Sequence, residues 1–121
     1  MHRRRGWRRL ILGAYTLGVL VLMFMPAPPT PSYLPADFDK ITHVVLFFVL
    51  AALAYWSSVD ERRPSVTLIV VACAVLAAAI EVVQSFLGYR TGDPKDFVAG
   101  TLGALAGAFV AQSVVKFSRR Q

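Results

Sequence analysis

The sequence predicts an all-α polytopic membrane protein, with four transmembrane helices in an up-down bundle and both termini in the cytoplasm. Three observations predict it. The 121 residues are 56% hydrophobic, and the mean hydropathy is +0.57. Four apolar runs fill most of the length, and each approaches the roughly 20 residues that a helix needs to cross a bilayer. The basic residues lie at the ends of these runs, where they set the orientation of a membrane protein.

The net charge of +6 would also suit a nucleic-acid-binding protein, but the placement of the charges favours a membrane. Ten of the thirteen Lys and Arg residues lie at the two termini and in the 60–64 turn, whereas Lys40, Arg90 and Lys95 lie in the other two connections. Because basic segments are retained on the cytoplasmic side, this distribution places both termini and the 60–64 turn in the cytoplasm. We therefore expect membrane lipids, and no nucleic acid, as partners.

The chain is predicted to form one domain, with helices over about 8–25, 38–58, 65–87 and 94–117. The basic start, apolar core and proline-rich exit of the first helix also describe a signal peptide. That exit lacks the small-x-small pattern of a cleavage site, so we expect the helix to be retained. Short connections after the second and third helices predict that these two helices are antiparallel neighbours.

The ends of the helices carry residues typical of interfaces and caps. Trp7, Tyr55 and Trp56 are predicted to lie in interfacial aromatic belts. The fourth helix is predicted to begin with Asp93 as its N-cap, followed by Pro94 at N1. Asp96, at N3, suits either a capping box or an inward-facing functional position, and the sequence leaves both open. The single cysteine, Cys73, excludes an intrachain disulfide and is predicted to be an inert core residue.

Polar residues from three distant segments are predicted at one membrane depth, near the outer face. They are Asp39, Lys40 and His43 at the start of the second helix, Glu81 and Gln84 in the third, and Arg90 and Asp96 near the start of the fourth. Asp39 and His43 are four residues apart and therefore share a helix face, as do Glu81 and Gln84 at a separation of three. A carboxylate below the headgroups costs roughly 2.5–3.5 kcal/mol, so Glu81 needs a proton or a cation as partner. His43, Lys40 and Arg90 are the candidates.

Small residues mark the fourth helix as a surface for close packing. Gly100, Gly103 and Gly107 lie on or near one face, together with Ala104 and Ala111. Gly100 lies one turn below Asp96 on the same side. The missing side chain there either admits a neighbouring helix or leaves a small pocket.

Taken together, four motifs resemble the VanZ-like membrane protein family over residues 37–107. They are Asp39-Lys-x-x-His43, Glu81-x-x-Gln84, Arg90-x-Gly-Asp-x-x-Asp96 and Gly103-x-x-x-Gly107. The resemblance implies a small polytopic membrane protein of the kind named for resistance to the glycopeptide teicoplanin. It also implies that the polar positions of these motifs, Asp39, Lys40, His43, Glu81, Gln84, Arg90 and Asp96, are the functional ones. The sequence departs from the family at Gly100, where an asparagine is common.

Two classes of function remain open on these residues. The first is a binding protein whose outer-face pocket holds an envelope lipid headgroup or a glycopeptide, since carboxylates beside Lys40 and Arg90 suit a zwitterionic or phosphate-bearing ligand. The second is an intramembrane enzyme with His43 and Glu81 as catalytic acid and base, with or without a divalent metal. A proton pathway through Glu81 is disfavoured, because the acidic and basic groups all lie on one side of the membrane, whereas a pathway must cross it. The sequence contains no compact metal-binding motif, nucleophile elbow or nucleotide fingerprint, so it assigns no cofactor and no metal ligand.

Overall fold

The computed structural model of the protein describes residues 2–25, 33, 38–59, 65–88 and 93–121, except for the side chains of residues 2–4 and Asp39. These residues form four helices: α1 (His2–Phe24), α2 (Phe38–Ser57), α3 (Val66–Phe86) and α4 (Pro94–Arg120). All four are long and apolar enough to cross a membrane. The all-helical class with four membrane-spanning helices is therefore confirmed.

The ends of the helices follow from local chemistry. Helix α1 begins at His2, several residues before the predicted start, because arginine is a good helix former and nothing but Gly6 interrupts the basic segment. Helix α3 is capped by the Ser65 hydroxyl, which accepts a hydrogen bond from the Leu68 amide at 3.1 Å. Helix α4 extends to Arg120 with basic residues in its last turn, where they complement the negative end of the helix dipole.

The most extensive interface in the described chain joins α2 and α4, which run parallel to each other. Helix α3 packs next most extensively against α4, and α1 packs mainly against α2. The predicted contact between α2 and α3 exists, but each of these helices makes its larger interface with α4. Alternating directions make the bundle up-down, and the N-terminal ends of α2 and α4 consequently lie at the same end. We call this the α2/α4 N-terminal end; the basic residues predict that it faces outward.

The close approach of α2 and α4 depends on two glycines. A Cβ atom at Gly103 would lie 2.9 Å from the carbonyl carbon of Val44, and one at Gly107 would lie 2.8 Å from that of Phe48. Both distances are too short for any real side chain, and the obstacle is backbone, which cannot rotate away. Since 44 and 48 are one turn apart, as are 103 and 107, two turns of α4 lie directly against two turns of α2.

Helix α1 is joined to the bundle by two hydrogen bonds. At the α2/α4 N-terminal end, the Gln84 side chain donates a hydrogen bond to the Met23 carbonyl at 2.8 Å. Midway along α1, the Tyr15 hydroxyl donates to the Leu46 carbonyl at 2.7 Å. These contacts make α1 part of the bundle; its retention in the mature protein stays a prediction.

Aromatic residues meet at the opposite end of the molecule. The rings of Trp7 and Trp56 contact edge to face at 5.9 Å between centroids, and the Arg8 guanidinium lies 4.8 Å from the Trp56 ring. Tyr55, by contrast, is only 5% exposed inside the bundle. Tyr55 therefore points toward the core, whereas Trp7 and Trp56 contact each other; the interfacial depth of all three stays a prediction.

Candidate functional site

One side chain from each of α2, α3 and α4 meets the others near the α2/α4 N-terminal end. His43, Glu81 and Asp96 each present a nitrogen or oxygen atom, and these three atoms lie within 4.8 Å of one another. We call this group the His43 cluster. Nε2 of His43 lies 3.9 Å from Oε1 of Glu81. His43 is 7% exposed and Asp96 9%, so the cluster is enclosed by the bundle.

The second oxygen of Glu81 holds the start of α4. Oε2 of Glu81 accepts a hydrogen bond from the backbone N–H of Asp93 at 2.7 Å. In a capping box this N–H, at the N-cap position, is bound by the acid at N3. Here a carboxylate from a different helix binds it, and the acid at N3, Asp96, is directed into the His43 cluster. Of the two roles left open for Asp96, the structure therefore favours the inward-facing one.

Asp93 is the N-cap of α4, as predicted. Its side chain accepts a hydrogen bond from the Lys95 amide at 2.9 Å, and its other oxygen lies 3.5 Å from Nζ of Lys40. The hydrogen bond from Lys95 lowers the pKa of the Asp93 carboxyl most, and the nearby positive charge of Lys40 lowers it further. The rim of the site is therefore an ion pair between the first turns of α2 and α4.

The lowered pKa of Asp93 gives a pH-dependent contribution to stability. A carboxyl whose pKa is lower in the folded state stabilises the fold above its unfolded pKa, and this contribution is lost as the pH falls through the folded value. Asparagine caps helices as well as aspartate but carries no charge. We therefore expect Asp93→Asn to fold normally and to lose less stability than wild type between about pH 5 and pH 3. Thermal unfolding in detergent across this range measures the difference; parallel curves would contradict the assignment.

Gln84 has a structural partner within the bundle. Its side chain is 2% exposed, and Nε2 donates to the carbonyl of Met23 in the last turn of α1. The last four carbonyls of a helix have no partner within the helix, so this amide satisfies one of them. A ligand contact from Gln84, which the resemblance implies, would use its oxygen or the second N–H of its amide.

Phe47 and Gly100 form the floor of the site. They lie one turn below His43 and Asp96, respectively, and Phe47 is fully buried. A Cβ atom at Gly100 would lie 3.1 Å from Cδ2 of the Phe47 ring. The missing side chain therefore admits a neighbouring residue rather than leaving a pocket. An asparagine at this position would require the Phe47 ring to move.

The structure places only part of the predicted site. His43, Glu81 and Asp96 come together, Lys40 lies at the rim, and Gln84 faces α1. Arg90 and the side chain of Asp39 lie outside the described residues. Sequence reasoning did not identify the hydrogen bond from Asp93 to Glu81 or the role of Phe47. The i,i+4 spacing of Phe47 after His43 indicates a shared face, but nothing in the sequence identifies the backbone N–H that Glu81 binds.

The fold and the cluster define a class of protein: a small multi-pass membrane protein with a buried imidazole–carboxylate group near one end of its bundle. A model of the VanZ/LLP1 family matches residues 10–116. The chain belongs to that family.

The chain is also similar to a curated protein. An uncharacterized protein of Schizosaccharomyces pombe is 40% identical over 95 residues, which cover 78% of this chain and 52% of the relative. The chain thus spans about half the length of that curated relative. No solved structure shows a significant match.

Proposed function

We propose that this protein binds the phosphate-bearing headgroup of an envelope lipid at the α2/α4 N-terminal end. The observation that supports it most is the convergence of His43, Glu81 and Asp96 from three helices. Polar and ionisable groups are rare inside a membrane bundle, and where they converge they commonly serve a ligand or an ion.

The surroundings of the cluster favour an anionic ligand. The helix dipoles of α2 and α4 both have their positive ends here, because the two helices run parallel. Lys40, whose side chain is 31% exposed, pairs with Asp93 at the rim, and its ammonium group has further N–H donors with which to bind a phosphate. A headgroup phosphate at the membrane surface would meet these groups first.

Binding should depend on Lys40 and on the phosphate. We expect Lys40→Ala to weaken binding of a short-chain phosphatidylethanolamine by about tenfold, because a charge-assisted hydrogen bond contributes roughly 1.5–3 kcal/mol. Lys95→Ala is the matched control, since Lys95 is an exposed lysine in the first turn of α4. Native mass spectrometry of the detergent-purified protein measures both. Equal binding of diacylglycerol, which lacks the phosphate, would contradict the proposal, as would equal losses in the two variants.

A glycopeptide is the other ligand that the resemblance implies, and the same experiment separates the two. Displacement of the short-chain lipid by teicoplanin would favour the glycopeptide. The corresponding cellular role is in teicoplanin-type resistance or envelope homeostasis, at the cell membrane. Growth of cells expressing wild type or Lys40→Ala, with and without teicoplanin, tests that role.

An intramembrane enzyme is the second candidate, supported by the 3.9 Å between His43 and Glu81. An imidazole beside a carboxylate is suited to general acid–base catalysis on a bound lipid. Incubation of the protein with the lipid that it binds distinguishes the two functions: a product whose formation requires His43 identifies an enzyme, whereas an unchanged lipid identifies a binder.

A further inference from the structure

We infer that His43, Glu81 and Asp96 form a binding site for one divalent transition-metal ion of the zinc or manganese type. The sequence alone assigned no metal ligand, because the three residues come from three helices and form no local motif. The bundle brings them together. Four further observations support the inference.

The first is the separation of the ligand atoms. Ligands at about 2.0–2.1 Å from a tetrahedral zinc ion lie roughly 3.4 Å from one another. Nε2 of His43 and Oε1 of Glu81 are 3.9 Å apart, and the three candidate atoms lie within 4.8 Å of one another. Each pair of ligand atoms would therefore have to approach by at most about 1.4 Å to reach tetrahedral spacing.

The second is the support of Glu81 by an outer hydrogen bond. Metal-binding carboxylates are usually held in place by donors to their second oxygen. Oε2 of Glu81 accepts from the backbone N–H of Asp93 at 2.7 Å, which leaves Oε1 directed toward His43. Because the donor belongs to the backbone at the first turn of α4, it cannot rotate away.

The third is the balance of charge. Glu81 and Asp96 bring two carboxylates into an enclosed part of the bundle, where uncompensated charge is highly unfavourable. Protonation of His43 would supply a single positive charge and form an ion pair with Glu81. Among the three cluster residues themselves, a divalent cation beside a neutral His43 would match the charge of both carboxylates. The ion pair is therefore the competing arrangement that the experiment must separate.

The fourth is the type of ligand. One imidazole nitrogen and two carboxylate oxygens suit zinc or manganese, whereas calcium and magnesium prefer shells made of oxygen alone. Three protein ligands leave at least one coordination position open, as in catalytic zinc sites. A headgroup phosphate oxygen is the ligand that we assign to this position; that step alone rests on the proposed function.

The test is metal binding by the whole chain, purified in detergent and freed of metal. We expect one Zn²⁺ per chain by elemental analysis after equilibrium dialysis, and a rise in the thermal unfolding midpoint on adding Zn²⁺ but not Mg²⁺. His43→Gln and Glu81→Gln should each weaken binding by at least about 100-fold, since even outer-shell changes weaken metal affinity 10–100-fold. His2→Gln is the matched control, because His2 is the only other histidine in the chain.

Three outcomes would overturn the inference: no bound ion in wild type, equal losses in His43→Gln and His2→Gln, or binding that persists in both cluster variants. If the variants fail to fold, X-ray absorption at the zinc edge of the wild-type protein decides, because one nitrogen and two or three oxygens are expected around the ion. A shell containing sulfur, or of oxygen alone, would contradict the site. Metal binding without lipid binding would support the metal site and disprove the headgroup function. Lipid binding without metal binding would disprove the metal site and support the headgroup function.

Discussion

Replacing Glu81 with alanine is expected to destabilise the protein by about 3–5 kcal/mol, the usual effect of breaking a buried ionic interaction, whether the cation beside Glu81 is a protonated His43 or a bound metal ion. The side chain of Glu81 is 11% exposed and lies beside the equally enclosed His43. Its loss also removes the acceptor for the Asp93 N–H, and an unsatisfied buried donor is itself unfavourable. Equilibrium unfolding in detergent, followed by circular dichroism, measures the change.

Glu81→Gln separates charge from shape. The amide oxygen of glutamine still accepts a hydrogen bond from Asp93, so the start of α4 remains attached while the negative charge is lost. We expect a smaller loss of stability than in the alanine variant, together with loss of ligand binding. Lys95→Ala, at an exposed position, should change the free energy of unfolding by less than about 0.5 kcal/mol. Wild-type stability and function in Glu81→Gln would reject a charged role for this residue.

The combined variant Gly103→Ala/Gly107→Ala is expected to lose about 2–6 kcal/mol of stability, because overpacking costs typically 1–3 kcal/mol per site. Each added methyl group would meet the α2 backbone at Val44 or Phe48. Helices α2 and α4 must then separate, which moves His43 away from Asp96. We therefore expect binding at the His43 cluster to be lost along with stability.

Gly18→Ala is the matched control for that experiment. A Cβ atom at Gly18 in α1 would meet nothing within 4 Å, and alanine favours a helix interior over glycine by roughly 0.5–1 kcal/mol. A glycine-to-alanine substitution should therefore stabilise α1 at Gly18 but destabilise the packing of α2 on α4 at Gly103 and Gly107. A neutral effect of the combined variant, with binding retained, would show that close packing of α2 on α4 is unnecessary.

The sequence determined the helices because their signals are local. Four apolar runs of near-spanning length, the prolines between the first two, and the cap formed by Asp93 and Pro94 depend on residues that are close together in the chain. The position of Gly103 and Gly107 at a helix interface also followed from local spacing. The sequence did not show which helix these glycines meet. Chain order favoured α2 beside α3, whereas Gly103 and Gly107 lie against α2, and α4 makes the larger interface with both α2 and α3.

For the polar site, too, one part could be predicted from the sequence and another part depended on the tertiary structure. The shared level of His43, Glu81 and Asp96 along the bundle could be predicted from topology, because helix length fixes where a residue lies along the bundle axis. Their direction could not, since it depends on the rotation of each helix about its own axis. That rotation is set by packing: Gly103 and Gly107 against α2, Phe47 against Gly100, and Glu81 against the Asp93 backbone. The sequence by itself thus determined the helices and the common level of the polar residues, and only the tertiary structure decided which of them meet.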